Sequence, residues 1–397
     1  MIEKDRSQIV NKTYLLQMLP LFYQKHLKIQ LKYRNFILLN ILVMLVQSIK
    51  RVSIEKLANA LPLGIKFESI RKRIQRFLSL PNLRFETIWF PIIASILETY
   101  FETDELVYIA IDRTNWGKIN LLVTSLIWDK RALPIYFTLM PKLGSSNLKE
   151  QSSHLSTIIP IFKDYKICLL GDREFCSVKL AKWLSEKSVY FCLRLKKNEF
   201  IEVKKKIWIE LSNLGLIPGT SFFIKGVKIT KIKGFSTFNV ACKWKRNISG
   251  FIPKEGWFIM TNLNSLELAI AAYKKRFGIE EMFRDFKTGG DNLEDTNVYG
   301  DRLISLILLI SIAYTSATIQ GQQIKLKGIQ KYIGRVKEDG RSQRRHSSFY
   351  IGLYAQNWVS FSDECINLVR ELMRLNRNKW KYYLRGMRAK SLVLSAL

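Results

Sequence analysis

Apolar positions along the chain follow three different rhythms. Over residues 1–100 they recur at helical spacing. Ser53 stands where it caps a short helix running to about Ala60, Pro62 and Gly64 interrupt, and a second helix resumes from Glu68 to Leu80. Its Ile70, Ile74 and Phe77 alternate with Arg71, Lys72, Arg73 and Arg76. This is a helix–turn–helix-like unit with a basic second helix; the plainer alternative is a helical bundle with a basic surface. From 105 to 195 the rhythm changes to short apolar runs and predicts strands at 106–112, 119–128 and 133–140. A helix at 147–163, a strand at 166–172, a helix at 177–187 and a strand at 189–196 follow. Residues 197–263 hold TSFFIKGVKIT, FSTFNVACKW and GWFIMTNL, punctuated by Gly and Pro, and read as a β-rich insertion. Helices at 265–289 and 302–322 come next. The stretch 303–319 is borderline in length for a membrane span, but its Ser305, Ser311, Thr315, Ser316 and Thr318 suit a buried helix better. FILLNILVMLVQSI at 36–49 is too short to span.

Acidic residues stand at telling places in this pattern. Asp112 ends the apolar run LVYIAID, and Asp172 ends KICLLGD. A carboxylate at the end of a buried strand is costly unless something pairs with it, and one divalent metal site would pair with both. The ordinary reading of either Asp alone is a turn residue or a helix cap. A third acid, Glu280, lies in AIAAYKKRFGIEEMFRDFKTGG, residues 269–290, which reads as one amphipathic helix. On such a helix Tyr273, Arg276, Glu280, Arg284 and Lys287 fall within about 80° of arc. Leu268, Ala271, Ile279, Met282 and Phe286 fall on the other side and would anchor it. A carboxylate among cations and a phenol suits a metal-bound phosphate. The bland alternative is a solvated face with an i,i+4 ion pair, Arg276 with Glu280 or Glu280 with Arg284. Glu174 and Glu281 are the nearest substitutes for Glu280. Glu281 lies about 100° round the helix from Glu280.

Charge narrows the class of partner. The 397 residues carry 64 Lys and Arg against 33 Asp and Glu, a formal charge of +31. Such an excess matches a polyanion, and nucleic acid comes first, since phosphate neutralisation releases counterions along a long contact. No segment supports a membrane, and MIEKDRSQ at the N-terminus is not a signal peptide. The cysteines at 168, 176, 192, 242 and 365 form no Cys-x2-Cys pair and lie far from the histidines at 26, 154 and 346. Reduced thiols in a cytoplasmic protein, and no zinc site, follow. With so few histidines, His-based nucleophilic catalysis has little to draw on. His154 reads as an ordinary polar position on its helix. Past residue 325, cations interleave with Tyr350, Tyr354, Trp380, Tyr382 and Tyr383, which suits DNA or subunit contact as well as a solvated tail.

The order Asp112, Asp172, Glu280, with the last acid in a Tyr273-x2-Arg276-x3-Glu280-x6-Lys287 signature, resembles the DDE transposases of bacterial insertion sequences, specifically the insertion sequence 4 family. IDRTNW at 111–116, GDREF at 171–175 and WFIMTNL at 257–263 carry the same resemblance. It covers about residues 105–325. The implied fold is α/β, an RNase H-like catalytic core in which the first and fourth strands are neighbours. An all-α DNA-binding domain at 1–100 would precede the core at 101–325 with its insertion at 197–263. A basic helical region at 326–397 would follow. The implied activity is cut-and-paste transposition. Asp112, Asp172 and Glu280 would hold two Mg²⁺ ions, with Mn²⁺ able to substitute. Tyr273, Arg276, Arg284 and Lys287 would grip phosphates, and Trp257 would receive a base that leaves the stack beside a hairpin. Arg71, Arg73 and Arg76 would contact DNA. Two protomers would pair the terminal inverted repeats and join them to target DNA. A nuclease of the same fold that cleaves without joining, and a transposase-derived repressor, are the alternatives.

Overall fold

The structure is a computed structural model. It describes residues 19–396 apart from 51, 62, 117–118, 231–235, 247–254, 290–295, 297, 329, 336–345 and 359–360, so the expected break at Pro62 lies outside the described residues. Five helices open it: α1 (Leu21–Gln30), α2 (Tyr33–Ile49), α3 (Ile54–Ala60), α4 (Phe67–Leu78) and α5 (Phe90–Tyr100). Ser53 caps α3 as expected, its side chain accepting from the Lys56 amide at 3.2 Å. Strands β1 (Leu106–Trp116), β2 (Ile119–Trp128) and β3 (Arg131–Leu139) follow, then α6 (Leu148–Ile158), β4 (Lys166–Gly171), α7 (Val178–Glu186) and β5 (Tyr190–Arg194). Next come β6 (Phe200–Lys204), β7 (Ile207–Glu210), β8 (Ser221–Ile229), β9 (Ser236–Lys243) and β10 (Trp257–Thr261). Helices α8 (Leu266–Lys275), α9 (Phe277–Arg284), α10 (Asp301–Leu326), α11 (Ser348–Trp358), α12 (Phe361–Arg374) and α13 (Arg377–Ala396) complete the order.

The chain divides into two compact units, one of residues 1–95 with 284–397 and the other of 96–283. Both ends of the chain therefore build the first, helical unit. Its α10 is apolar on every side and is buried from Leu303 to Ile319 with few exceptions. By length and composition α10 could cross a membrane, yet 89% of its most apolar stretch is buried inside the protein. A core helix behaves in this way. Gly321 and Gly352 let α10 and α11 cross with backbones in contact, since a Cβ on either would strike the other helix's main chain.

The second unit is built on one sheet of ten strands in the order β3-β2-β1-β4-β5-β10-β9-β8-β6-β7. β1, β4 and β5 are parallel neighbours, while β2 and β3 run antiparallel beyond β1. Parallel strands buried on both faces need continuous apolar runs, which VYIAI and ICLLG provide. Residues expected to form an insertion do not make a separate layer. β10 pairs antiparallel with β5, and β9, β8, β6 and β7 extend the sheet from there. β6 and β7 escaped the pattern because they are short and half-exposed.

Buried His154 on α6 departs from its expected role as an ordinary polar position. Its ring sits between the hydroxyls of Thr124, at 2.9 Å, and Thr138, at 2.6 Å, and burial pulls its pKa down to about 3. It is a neutral core residue satisfied by two threonines of the sheet.

Candidate active site

Strand register brings the two aspartates together. In the parallel β1–β4 ladder Ile111 is opposite Gly171, so Asp112 and Asp172 are the next residues on adjacent strands. Gly171 is required there, because a Cβ would press on the Leu193 side chain and on Phe175. β1 runs on past Asp112 to Trp116, held by β2, with Asp112 opposite Val123. Asp112 is thus a strand residue, whereas Asp172 begins the turn after β4. That turn is held by the Asp172 carboxylate, which accepts from the Glu174 amide at 2.8 Å.

Glu280 arrives on a helix that is broken. The expected single helix over 269–290 is α8, a break at Arg276, α9, and a wide final turn over Asp285–Gly289. At the break the Arg276 amide bonds Tyr273 O at 3.1 Å and the Ile279 amide bonds Arg276 O at 3.0 Å, which replaces i−4 bonding by i−3. Gly278 follows, where a Cβ would crowd the backbone of Arg131 and Ala132 at 3.3 Å. The break shifts the helical phase, so the expected anchoring face is corrected. Leu268 and Ala271 are exposed, while Ala269, Ile270, Ala272 and Tyr273 are buried. Tyr273 and Arg276, expected on an open basic face, are only 1% and 6% exposed. Ile279 and Met282 are buried as expected.

Arg276 ties the acids together. One of its terminal nitrogens donates to Asp112 Oδ2 at 3.3 Å, and the other donates to Glu280 Oε1. The Asp112 carboxyl is pushed up to about 6, first by burial and then by the negative charges of Asp172 and Glu280. The Arg113 amide and the Arg276 guanidinium pull it back. The site is therefore a half-buried concentration of carboxylates with one guanidinium in a cation's place. Among the described residues no three of His, Cys, Asp and Glu stand close enough together to hold a metal ion. The donors are nonetheless all hard oxygens with surplus negative charge, a chemistry that fits a divalent cation such as Mg²⁺. Both substitutes for Glu280 are occupied elsewhere: Glu281 faces Arg131 at 3.6 Å, and Glu174 faces Arg113.

Beside the acids stands a patch of cationic and aromatic groups. Tyr273 Oη and Arg276 Nε are buried and have no hydrogen-bond partner among the described residues. Burial pushes the Tyr273 phenol up, while the Arg276 and Arg194 guanidinium groups oppose the shift. Trp257, the first residue of β10, is half-buried. Its ring meets Tyr273 edge-on with centroids 5.2 Å apart and lies 6.0 Å from Phe277. Lys245 stands 5.6 Å above it. Glu255 accepts from Arg173 and, at 2.7 Å, from Arg194. Neither arginine stands out in the sequence, although Arg173 follows Asp172 directly.

A second ion pair is equally invisible in the sequence. Arg113 Nε donates to both oxygens of Glu174, at 3.1 and 3.0 Å. Glu174 Oε1 also accepts from the Ser146 amide and hydroxyl at 3.0 and 3.1 Å. Arg113 reaches Asn120 at 3.1 Å, and Asn120 holds the carbonyls of Lys142 and Gly144. Each member of the pair follows its aspartate within two residues, so the pair ties β1 to the turn after β4 beside the two acids. Glu174→Gln removes the charge and keeps the shape. The variant is expected to lose about 1–3 kcal/mol of folding stability, the scale of hydrogen bonds to a charged group. Denaturant unfolding measures the loss, and wild-type stability would show that the pair clamps nothing.

Other expected site residues lie in the helical unit. Arg284 is exposed at the end of α9, and Lys287 sits half-buried in the wide turn. The α4 trio divides. Arg71 is held by Glu55 and Glu68, each at 3.3 Å, whereas Arg73 and Arg76 line a cavity.

Residues 147–315 match the family model of the transposase DDE domain. That span contains Asp172, Glu280 and strands β4 to β10, and begins after Asp112. The match supports a DDE transposase. A cryo-EM structure of the piggyBac transposase synaptic complex with hairpin DNA is similar to the chain with a TM-score of 0.46 and 14% sequence identity. The similarity covers 94% of this chain and 81% of that one. No curated protein matches the sequence.

Proposed function

We propose that this chain is a cut-and-paste DNA transposase of the insertion sequence 4 type, working on an RNase H-like core. The observation that carries the reading is the β1–β4 register, which sets Asp112 beside Asp172, together with the Arg276 bridge from Asp112 to Glu280. Asp112, Asp172 and Glu280 would hold Mg²⁺, with Mn²⁺ able to substitute. The metal would supply Lewis acidity and an activated water or 3′-hydroxyl.

The protein's own groups bind and orient the strand. Arg276 Nε and Tyr273 Oη are buried donors lacking acceptors among the described residues, and a phosphate oxygen would satisfy both. Arg284 and Lys287 add phosphate contacts further along the chain. Arg73 and Arg76 hold the duplex through its backbone. Cleavage proceeds through a hairpin at the element end, two protomers pair the two ends, and the freed ends are joined to target DNA. The protein works in the cytoplasm on DNA. The indole of Trp257, already in an aromatic cluster with Tyr273 and Phe277, receives the base that leaves the stack at the hairpin.

The test uses DNA carrying the sequences that flank the reading frame, with Mg²⁺ present. The wild type should nick at the element end, form the hairpin and then join target DNA. Trp257→Ala should nick at the wild-type rate and form the hairpin about tenfold more slowly, in line with about 1–3 kcal/mol of base stacking. Equal losses in both steps would make Trp257 structural. Nicking without hairpin or joining by the wild type would make the protein a nuclease.

A further inference from the structure

We infer that the helical unit carries a groove for the phosphodiester backbone of duplex DNA, walled on one side by α4 and on the other by the C-terminal helix α13. The inference rests on the DNA-handling reading only for the identity of its ligand.

A cavity of about 350 Å³ is lined by Arg34 of α2, by Lys72, Arg73 and Arg76 of α4, and by Lys379 of α13. Asn35, Ser69 and Asn376 add neutral polar groups, and among the described residues no carboxylate lines it. Five cations from three helices thus converge on one hollow. Lys72 is paired with Glu68 at 3.8 Å, whereas the mutual repulsion of Arg34, Arg73, Arg76 and Lys379 meets no carboxylate in the lining. Arg73 is half-buried, and its guanidinium donates to the Met373 thioether at 3.7 Å, a weak acceptor. Burial first, and then Arg34, pull the Arg73 pKa down to about 10. A guanidinium in that state gains most from an anion.

A second cavity, of about 620 Å³, adjoins the first and shares Ile65, Ser69 and Lys379 with it. Lys66, Tyr382 and Arg385 complete its polar lining, again without a carboxylate. Lys379, Lys381 and Arg385 all stand within 6.0 Å of the Tyr382 ring. The cationic lining is therefore longer than one phosphate, which favours a chain of phosphates over a single small anion. The wall is held in place by a backbone crossing: a Cβ on Gly386 would strike Gly64, so α13 lies directly on the turn before α4. The α4 arginines and the basic C-terminal region stand about three hundred residues apart in the sequence, so a shared groove is not visible there.

Arg71 supplies the internal control, since Glu55 and Glu68 already hold it and it is absent from both linings. The full-length protein is titrated onto a random-sequence 30-base-pair duplex in EDTA at several salt concentrations. Arg34→Gln/Lys379→Gln removes two exposed cations and should not disturb folding, which circular dichroism checks. Its plot of log affinity against log salt should flatten by about 1.8, at about 0.9 for each phosphate no longer neutralised. Arg73→Gln should flatten it by about 0.9, and Arg71→Gln should leave it unchanged. An unchanged slope in the double variant, or the same flattening in Arg71→Gln, overturns the groove. Inorganic phosphate forms a separate arm. If it raises the wild-type melting temperature, the double variant loses that rise and the DNA slope stays intact, the hollow holds a small anion and the DNA assignment falls. EDTA prevents cleavage, so the result stands apart from the catalytic reading: an intact slope effect with a wild type that never cuts leaves the groove and removes the transposase.

Discussion

Glu280→Gln is expected to bind element-end DNA with wild-type affinity and to lose strand cleavage by on the order of 10³-fold or more, the scale on which one charge-handling group in an active site acts. In the proposed site the Glu280 carboxylate joins those of Asp112, inside β1, and Asp172, just past the end of β4. The amide keeps the size and the bond to Arg276 but removes the charge a divalent cation needs. Binding should survive because most protein–DNA bonds go to phosphates from groups elsewhere on the surface. Asp112→Asn and Asp172→Asn should behave alike. Gel shift and nicking on one preparation decide the matter. Cleavage at the wild-type rate by the Glu280→Gln protein would remove Glu280 from the site, and Glu281, engaged with Arg131, would not replace it.

Arg276→Met is expected to destabilise the metal-free fold by about 3 kcal/mol, the range for breaking a buried ion pair by removing one partner. Methionine fills most of the space and leaves Asp112 buried beside Asp172 and Glu280 with no cation. The loss should depend on pH in a definite direction. The folded Asp112 carboxyl sits at about 6, above the ordinary carboxylate range, so the folded chain holds a proton there that the unfolded chain releases. The contribution of this group to stability therefore falls as pH rises toward 6. Loss of Arg276 raises the folded Asp112 carboxyl further, so this part of the destabilisation should be small below pH 6, where Asp112 is protonated in both proteins, and should grow as pH rises above 6. Mg²⁺ should restore more stability to Arg276→Met than to the wild type, since a ligand that binds only the folded state stabilises it and here meets no competing guanidinium. Denaturant unfolding with and without Mg²⁺ measures both effects. Equal Mg²⁺ responses would mean that Arg276 does not stand where a cation belongs.

The strands of the second unit were legible because their periodicity is strong. β1, β2, β4, β8 and β9 lie within a few residues of their expected limits, and the hydroxyl-bearing residues of α10 mark it as a buried helix. The acids were legible for a local reason: a carboxylate closing an apolar run stands out without any knowledge of packing. β6 and β7 were not, since short half-exposed strands have no periodicity to read.

What the sequence determined by itself is whatever depends on neighbours along the chain: the type of most elements, the cap at Ser53, the positions of Asp112, Asp172 and Glu280, and the excess of positive charge. Tertiary structure alone decided what depends on partners distant in sequence. It joined both ends of the chain into one helical unit. It set Asp112 beside Asp172 through pairing of strands about sixty residues apart. It also broke the signature helix at Arg276, where close approach of the Arg131–Ala132 backbone to Gly278 shifts the phase and turns Tyr273 and Arg276 inward. A periodicity argument assumes an unbroken helix and cannot anticipate a contact made by another strand; whether a cation faces solvent or carboxylates is settled only by what packs against it.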